Sequence, residues 1–342
     1  MKRIDEIKQY IGKKRRVESR DIQEEFNISR AMADRYLKQL IESNVITKHG
    51  KTKGAYYVWG NESSSPLSLK RKFSVENKDE DAVFDIFNLK LNLRKKCNKK
   101  SYEILRYGIT EMVNNAIDHS RSKEFSVEVK ITDYEVISTV RDYGIGIFRN
   151  IIEFMNLDRP EDAMAIIMKG KVTTYPEKHS GEGIFFTMKS ADRFIIRSYR
   201  DSLIKTNGEI ITSSIKKLKG TEVEFSISRN TNRALRRVFD NYAGKEFEYQ
   251  FNKTSVYLNI EGDSQLISRS KAKRMIQGMN KFNEIEVDFK DIKTIGQGFA
   301  HEIFNVFMKN NADITFTVLN AEPPIKAMIK HTAIDMKRIN LK

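Results

Sequence analysis

The spacing of apolar positions divides the chain before any motif is considered. In the first sixty residues Ile4, Ile7 and Ile11 share one helical face, and Ile22 with Phe26 marks a second helix. Asn27-Ile28-Ser29 follows, with Ser29 placed to cap a third helix whose core stripe is Met32, Tyr36, Leu37, Leu40 and Ile41. VITKHGKTKGAYYVWG then predicts two short strands around a glycine- and lysine-rich turn. Periodicity lapses over GNESSSPLSLKRKFSVENKDED, which is serine-rich and charged and predicts a linker at 61–81. From Ser101 onward Leu105, Ile109, Met112, Val113 and Ala116 recur at helical spacing. FSVEVKI and YEVISTV alternate as strands, and further strands are expected around FIIRSY, EIITS and GTEVEF. A helix, NRALRRVFDNYA, occupies a weaker seam at 229–252. Beyond it KTSVYLNI, RSKAKRMIQGMNKF, EIEVDF, GFAHEIFNVFMKN, ITFTVLN and IKAMIKHTAIDM alternate strand and helix. The chain therefore reads as an α/β multidomain protein with segments 1–60, 82–228 and 253–342.

Composition narrows the class. With 342 residues, 39% of them hydrophobic and 31% charged, the chain suits two or three soluble domains rather than a disordered or membrane protein. No run approaches the length of a transmembrane helix, and MKRIDEIKQYIGKKRR lacks the apolar core of a secretory signal. The single cysteine, Cys97, can build neither an internal disulfide nor a thiolate metal cluster, so a cytoplasmic location is expected. The formal net charge of +15 points to an anionic partner: nucleic acid, nucleotide or an acidic protein surface.

In the first segment the third helix turns Arg30, Asp34, Arg35 and Lys38 outward, and the following turn carries Lys48, Lys51 and Lys53. Residues 1–60 hold fourteen Lys/Arg against eight Asp/Glu. Two helices joined by a tight turn and followed by a basic hairpin resemble a winged helix-turn-helix. The resemblance implies double-stranded DNA as partner, with the third helix in the major groove and the wing lysines on phosphates. A protein-docking module with a solvated basic face is the alternative.

In the middle segment Glu111, Asn115 and Asp118 follow one another at i, i+4 and i+7, on a different face from the apolar stripe. Alone, such a face is ordinary. The second strand, however, runs into Arg141-Asp142-Tyr143-Gly144-Ile145-Gly146, where alternate glycines let backbone approach a ligand. His179-Ser180-Gly181-Glu182-Gly183 then looks like a glycine-rich loop opening a helix, a setting that offers N–H groups to anionic oxygens. Gly220-Thr221 opens the last strand. In this order the four pieces resemble the superfamily of gyrase, heat-shock chaperone, histidine-kinase and mismatch-repair ATPases, the GHKL superfamily. Glu111, Asn115, Ala116 and Asp118 match its N box, Asp142, Gly144 and Gly146 its G1 box, Gly181 and Gly183 its G2 box, and Gly220-Thr221 its G3 position.

The resemblance implies a Bergerat-type α/β sandwich binding ATP and Mg²⁺. Asn115 would offer an amide oxygen to the metal, Glu111 would polarise an attacking water, and Asp142 would accept from the adenine amino group. Thr221 would support the base edge, Gly181 and Gly183 would cradle phosphates, and Asp118 and His119 would orient Asn115 or cap the helix. Residues 148–180 would form a lid, whose Lys169, Lys171 and Lys178 could reach phosphate but are read first as surface lysines. No dimerisation helix with a phosphoacceptor histidine precedes Glu111, which argues against an ordinary sensor histidine kinase, and there is no room for a gyrase-type transducer domain.

The C-terminal segment resembles STAS-type domains of anti-sigma-factor antagonists through Val287-Asp288-Phe289 and Ile295-Gly296-Gln297-Gly298-Phe299. Gln297 and Gly298 stand where those antagonists carry a phosphorylated serine, which favours a docking or dimerising module and leaves a protein partner or a homodimer as its contacts. Three functions follow as expectations: an ATP-dependent DNA-binding regulator, an anti-sigma-type serine/threonine protein kinase, and a plain regulatory ATPase.

Overall fold

The computed structural model describes residues 2–14, 16–43, 45–50, 55–59, 66–76, 78–172, 181–206, 208–242, 252–258, 265–266 and 268–342. It divides into two compact units, residues 1–68 with 130–136, and residues 69–129 with 137–342.

The first unit contains α1 (Lys2–Lys14), β1 (Arg16–Glu18), α2 (Ser19–Phe26), α3 (Arg30–Glu42), β2 (Ile46–His49) and β3 (Tyr56–Trp59). Ile7, Ile11, Ile22, Ala33, Leu37 and Leu40 meet in one core, with Tyr36 and Ile41 packed at its rim. Ser29 does cap α3, its Oγ accepting from Met32 N at 3.3 Å. Asn27, at φ 46°, ends α2 in the left-handed conformation that stops a helix. The strands form an antiparallel sheet in the order β1-β3-β2. β1 was not expected from the sequence: three residues with only Val17 turned inward show no alternation. It carries Arg16, whose guanidinium lies 2.8 Å from Glu135 in the 130–136 segment of this same unit, the carboxylate that also accepts from the Tyr56 hydroxyl.

The second unit begins with β4 (Leu67–Ser74), α4 (Glu80–Leu91), α5 (Leu93–Lys96), α6 (Lys99–Asp118), β5 (Glu124–Ile131) and β6 (Glu135–Asp142). It continues with α7 (Ile147–Met155), α8 (Pro160–Lys169), α9 (Gly183–Ser190), β7 (Arg193–Thr206) and β8 (Glu209–Ser228). Their five-stranded sheet runs β4-β5-β6-β8-β7. The linker expected at 61–81 is corrected here, because β4 is an edge strand of that sheet and α4 already starts at Glu80. Only Phe73 of β4 is buried, stacked on Phe125 at 5.3 Å, so the strand leaves no alternating signature. FIIRSY and EIITS are parts of one long hairpin of 14 and 20 residues, with a register shift at Tyr199. α6 packs against α4, α9 and β8 through Ile104, Leu105, Ile109, Met112 and Val113.

The remainder comprises α10 (Leu235–Asp240), β9 (Lys253–Tyr257), β10 (Gln265–Leu266), α11 (Arg269–Ile276), β11 (Glu284–Asp288), β12 (Thr294–Ile295), α12 (Gln297–His301), α13 (Met308–Asn310), β13 (Thr315–Leu319), α14 (Pro323–Thr332) and β14 (Ile339–Leu341). α10 anchors the 229–252 seam: Phe239 meets Tyr107 and Phe186 edge to face at 5.3 and 4.6 Å. Four parallel strands, β14-β13-β11-β9, make the second sheet, and β10 pairs with β12. The helix expected over 298–310 is one run, in which α12 and α13 are joined by a π-helical stretch, Glu302–Phe307. Among the described residues no helix is long and apolar enough to cross a membrane.

Candidate functional site

α6 starts on Asn98, whose Oδ1 accepts from Ser101 N at 2.8 Å, and buries Leu105, Ile109, Met112, Val113 and Ala116. Fixing that face leaves Glu111 and Asn115 directed into a cavity of about 270 Å³. Met112, Asn114 and Ala116 share this wall, with His119 and Ser120 just beyond the helix. Asp118, one turn past Asn114, is exposed at the helix end and does not line the cavity.

Asp142 closes the opposite end. It is 6% exposed, and its Oδ1 accepts from Gly144 N at 2.9 Å and Thr221 N at 3.2 Å. Burial raises its pKa, while those amides and the Thr221 hydroxyl pull it back down. Gly220 crosses directly over Asp142 at φ 80°, where a side chain would strike the Asp142 carbonyl and Oδ1. The Thr221 oxygen also accepts from Ile147 N at 2.9 Å. Thr221 lines the cavity, but its hydroxyl is engaged by protein groups, so it holds Asp142 and the start of α7 in place. Gly146 lines the cavity, whereas Gly144 is packed behind its wall against the Ser120 carbonyl.

Gly181, Glu182 and Gly183 form the third side, at the N-terminus of α9. Gly181 sits at φ 72° against the Val172 backbone, and a side chain at Gly183 would run into Glu111 Oε2. The Glu111 carboxyl therefore rests on the first residue of α9. Burial, and then the nearby Glu80 and Glu182, push its pKa up to about 7. Asn115 Nδ2 is buried without a hydrogen-bond partner among the described residues. An orphaned amide in a polar cavity fits a phosphate oxygen or, with the amide turned over, a hard cation held on one. No cluster of three His, Cys, Asp or Glu that could hold a metal occurs among the described residues.

α7 and α8 cover the cavity through Asn150, Ile151 and Ile167, with Val172 beyond them. Asn150 went unseen in the sequence, and its Nδ2 donates to the His119 carbonyl at 3.3 Å, tying α7 to the end of α6. An amide four residues after Gly146 was the only available signal. The expectation that Lys169 is a surface lysine is corrected: it is 3% exposed, and burial lowers its pKa to about 7. Lys171 is half-buried, and Lys178, His179 and Ser180 lie outside the described residues.

In the first unit Arg30, Arg35 and Lys38 are exposed along α3, and Lys48 is exposed on β2. Arg30 lies 3.7 Å from Asp34 and Lys38 lies 3.8 Å from Glu42, one turn along in each case. Such exposed pairs are worth only about 0.3–0.5 kcal/mol and exchange readily for other anions. Lys51 and Lys53 lie outside the described residues.

Residues 101–231 match the family of histidine kinase-, DNA gyrase B- and HSP90-like ATPases. Residues 271–326 match a STAS-like domain of unknown function, DUF4325. No curated protein matches the chain. The middle of the chain thus carries a GHKL-type domain and the C-terminal part a STAS-like one.

Proposed function

We propose that this chain is an ATP-binding regulatory protein whose first unit is a winged helix-turn-helix that binds double-stranded DNA, its affinity set by the nucleotide state. The convergence of Glu111, Asn115, Asp142, Gly181 and Gly183 on one cavity carries this reading. Asp142 accepts from an exocyclic amino group, which adenine has at that edge and guanine lacks. The amides at the start of α9 and the orphaned Asn115 side chain face the phosphates, where Mg²⁺ would neutralise charge on the oxygens. Glu111, ionised above pH 7, is placed to orient or deprotonate an attacking hydroxyl.

The DNA reading rests on the order α1-β1-α2-α3-β2-β3 and on the exposed Arg30, Arg35 and Lys38 of α3. Neutralising all three should reduce the slope of log affinity against log salt by about 2.7, at roughly 0.9 per lost phosphate contact. An unchanged slope in anisotropy titrations with duplex DNA would sink groove docking by α3.

Glu111 also favours a second reading, a serine/threonine protein kinase acting on a separate partner by in-line phosphoryl transfer. Gln297 and Gly298, the first residues of α12, stand where an antagonist would carry its serine, and the nearest hydroxyl is that of Thr294 in β12, so the acceptor in this reading belongs to a separate partner. ATP labelled on the γ-phosphate, incubated with the protein and a lysate, separates label on protein from free phosphate and from neither. Phosphate release that persists in Glu111→Ala would remove Glu111 from the chemistry.

A further inference from the structure

α8 has two working faces. Ile167 lines the nucleotide cavity, and Lys169, two residues on and about 200° around the helix, points the other way. On that far face Asp162, Ala165, Met168 and Lys169 share a second cavity of about 60 Å³ with Val256, Arg274 and other residues of the C-terminal part. Lys169 Nζ donates to the Gln277 carbonyl at 3.1 Å, and Thr254 Oγ1 donates to the Lys169 carbonyl at 2.6 Å. Arg274 Nε lies 3.7 Å from the buried Asp162.

Beyond the helix, Lys171 and Lys281 exchange bonds: Lys171 Nζ donates to the Lys281 carbonyl at 2.9 Å, and Lys281 Nζ to the Lys171 carbonyl at 3.1 Å. Gly170 and Lys171 both have positive φ, 82° and 55°, which is uncommon for a lysine. The next residue, Val172, lines the nucleotide cavity and donates its N–H to the Gly181 carbonyl at 3.2 Å. Four consecutive residues, Lys169–Val172, therefore join the C-terminal domain to the glycine loop.

We propose that the STAS-like domain is a built-in restraint on the nucleotide lid: it grips α8 and the residues after it, so that filling the cavity and seating this domain favour each other, with Lys169 as the positioning residue. Ile167 and Val172 reach the cavity only while α8 and its C-terminal extension keep their places, and those places are fixed by Thr254, Gln277 and Lys281. Linkage makes the effect reciprocal: the factor by which seating the domain tightens the ligand is the factor by which the ligand favours the seated domain. A protein bound to the STAS-like domain would thereby regulate the ATP site. This rests on the ATP reading of the cavity.

The test uses the full chain, with MgATP affinity from calorimetry and hydrogen exchange of residues 253–257 and 269–281 with and without MgATP. MgATP should slow exchange in both segments. Lys169→Met and Arg274→Ala should each weaken MgATP by about fivefold or more, the low end of typical coupling, and Lys169→Arg should recover part of the loss. Arg274→Ala removes a partly exposed side chain and keeps the test open if Lys169→Met fails to fold. MgATP bound equally by wild type and both variants, with exchange unchanged, would overturn the restraint and leave the ATP site standing. No MgATP binding by folded wild type would overturn both.

Discussion

Two helices wall the same cavity and use their buried polar groups in opposite directions. α6 spends its apolar stripe on its own domain and turns Glu111 and Asn115 toward the ligand space. α8 turns Ile167 toward that space and sends Asp162 and Lys169 away, into the C-terminal domain. On α6 the polar groups are underpaired, with Asn115 Nδ2 lacking a partner among the described residues and Glu111 held toward its neutral form. On α8 they are engaged, Lys169 by Gln277 and Asp162 by Arg159 and Arg274. A buried polar group that protein has already satisfied holds structure together, whereas one left unsatisfied inside a polar cavity is available to a ligand.

Substitutions on the two helices should therefore behave differently. The largest separation is expected from Asn115→Ala. It removes a ligand contact and an unpartnered buried amide together, so MgATP affinity should fall by about 10- to 100-fold, the worth of a charge-assisted bond. The melting temperature should not fall, and removing Mg²⁺ should cost the variant less affinity than it costs wild type. A large loss of stability would place Asn115 with the structural groups of α8. Next in size, Asp162→Ala strips Arg274 of its buried carboxylate and removes the negative charge that favours the ionised form of buried Lys169, and should destabilise the fold by about 1–3 kcal/mol. Here thermal stability and MgATP affinity should move together; affinity loss with unchanged stability would erase the contrast.

A pH dependence separates the two helices as well. Glu111 has its pKa raised from 4.5 to about 7, so the folded state binds this proton more tightly than the unfolded chain does. Its contribution is most favourable below pH 4.5, declines as pH rises toward 7, and is constant above that. Nucleotide affinity without Mg²⁺ should fall over the upper part of the same window, as the ionised carboxylate repels phosphate. Glu111→Gln should flatten both curves between pH 5 and 7.5. A curve left unchanged would show that Glu111 does not face the phosphates.

How much was legible follows from where each signal is stored. The α6 wall, Asp142 and the glycines of the loop are local patterns, because a helix stripe and a strand-to-turn glycine need only neighbours in sequence. Asp118 belonged to the same motif, yet it is exposed at the end of α6 and does not line the cavity, although His119 and Ser120 after it do. β4 was invisible because an edge strand with one buried residue has no period to display. Lys169 was unreadable for a different reason: a lysine at the end of an amphipathic helix looks solvated until a domain about a hundred residues away covers it, as the bond to Gln277 shows. Asn150 likewise acquires meaning only when the His119 carbonyl arrives beside it.

The most direct test of the central claim is a calorimetric comparison of MgATP and MgGTP on the full chain, with Asp142→Asn alongside. The Asp142 carboxylate, held by Gly144 and Thr221, should select the adenine amino group, so wild type should bind MgATP well and MgGTP at least tenfold more weakly. Asp142→Asn should lose most of that preference. Equal affinity for the two nucleotides, or none for either, would contradict the assignment of the cavity.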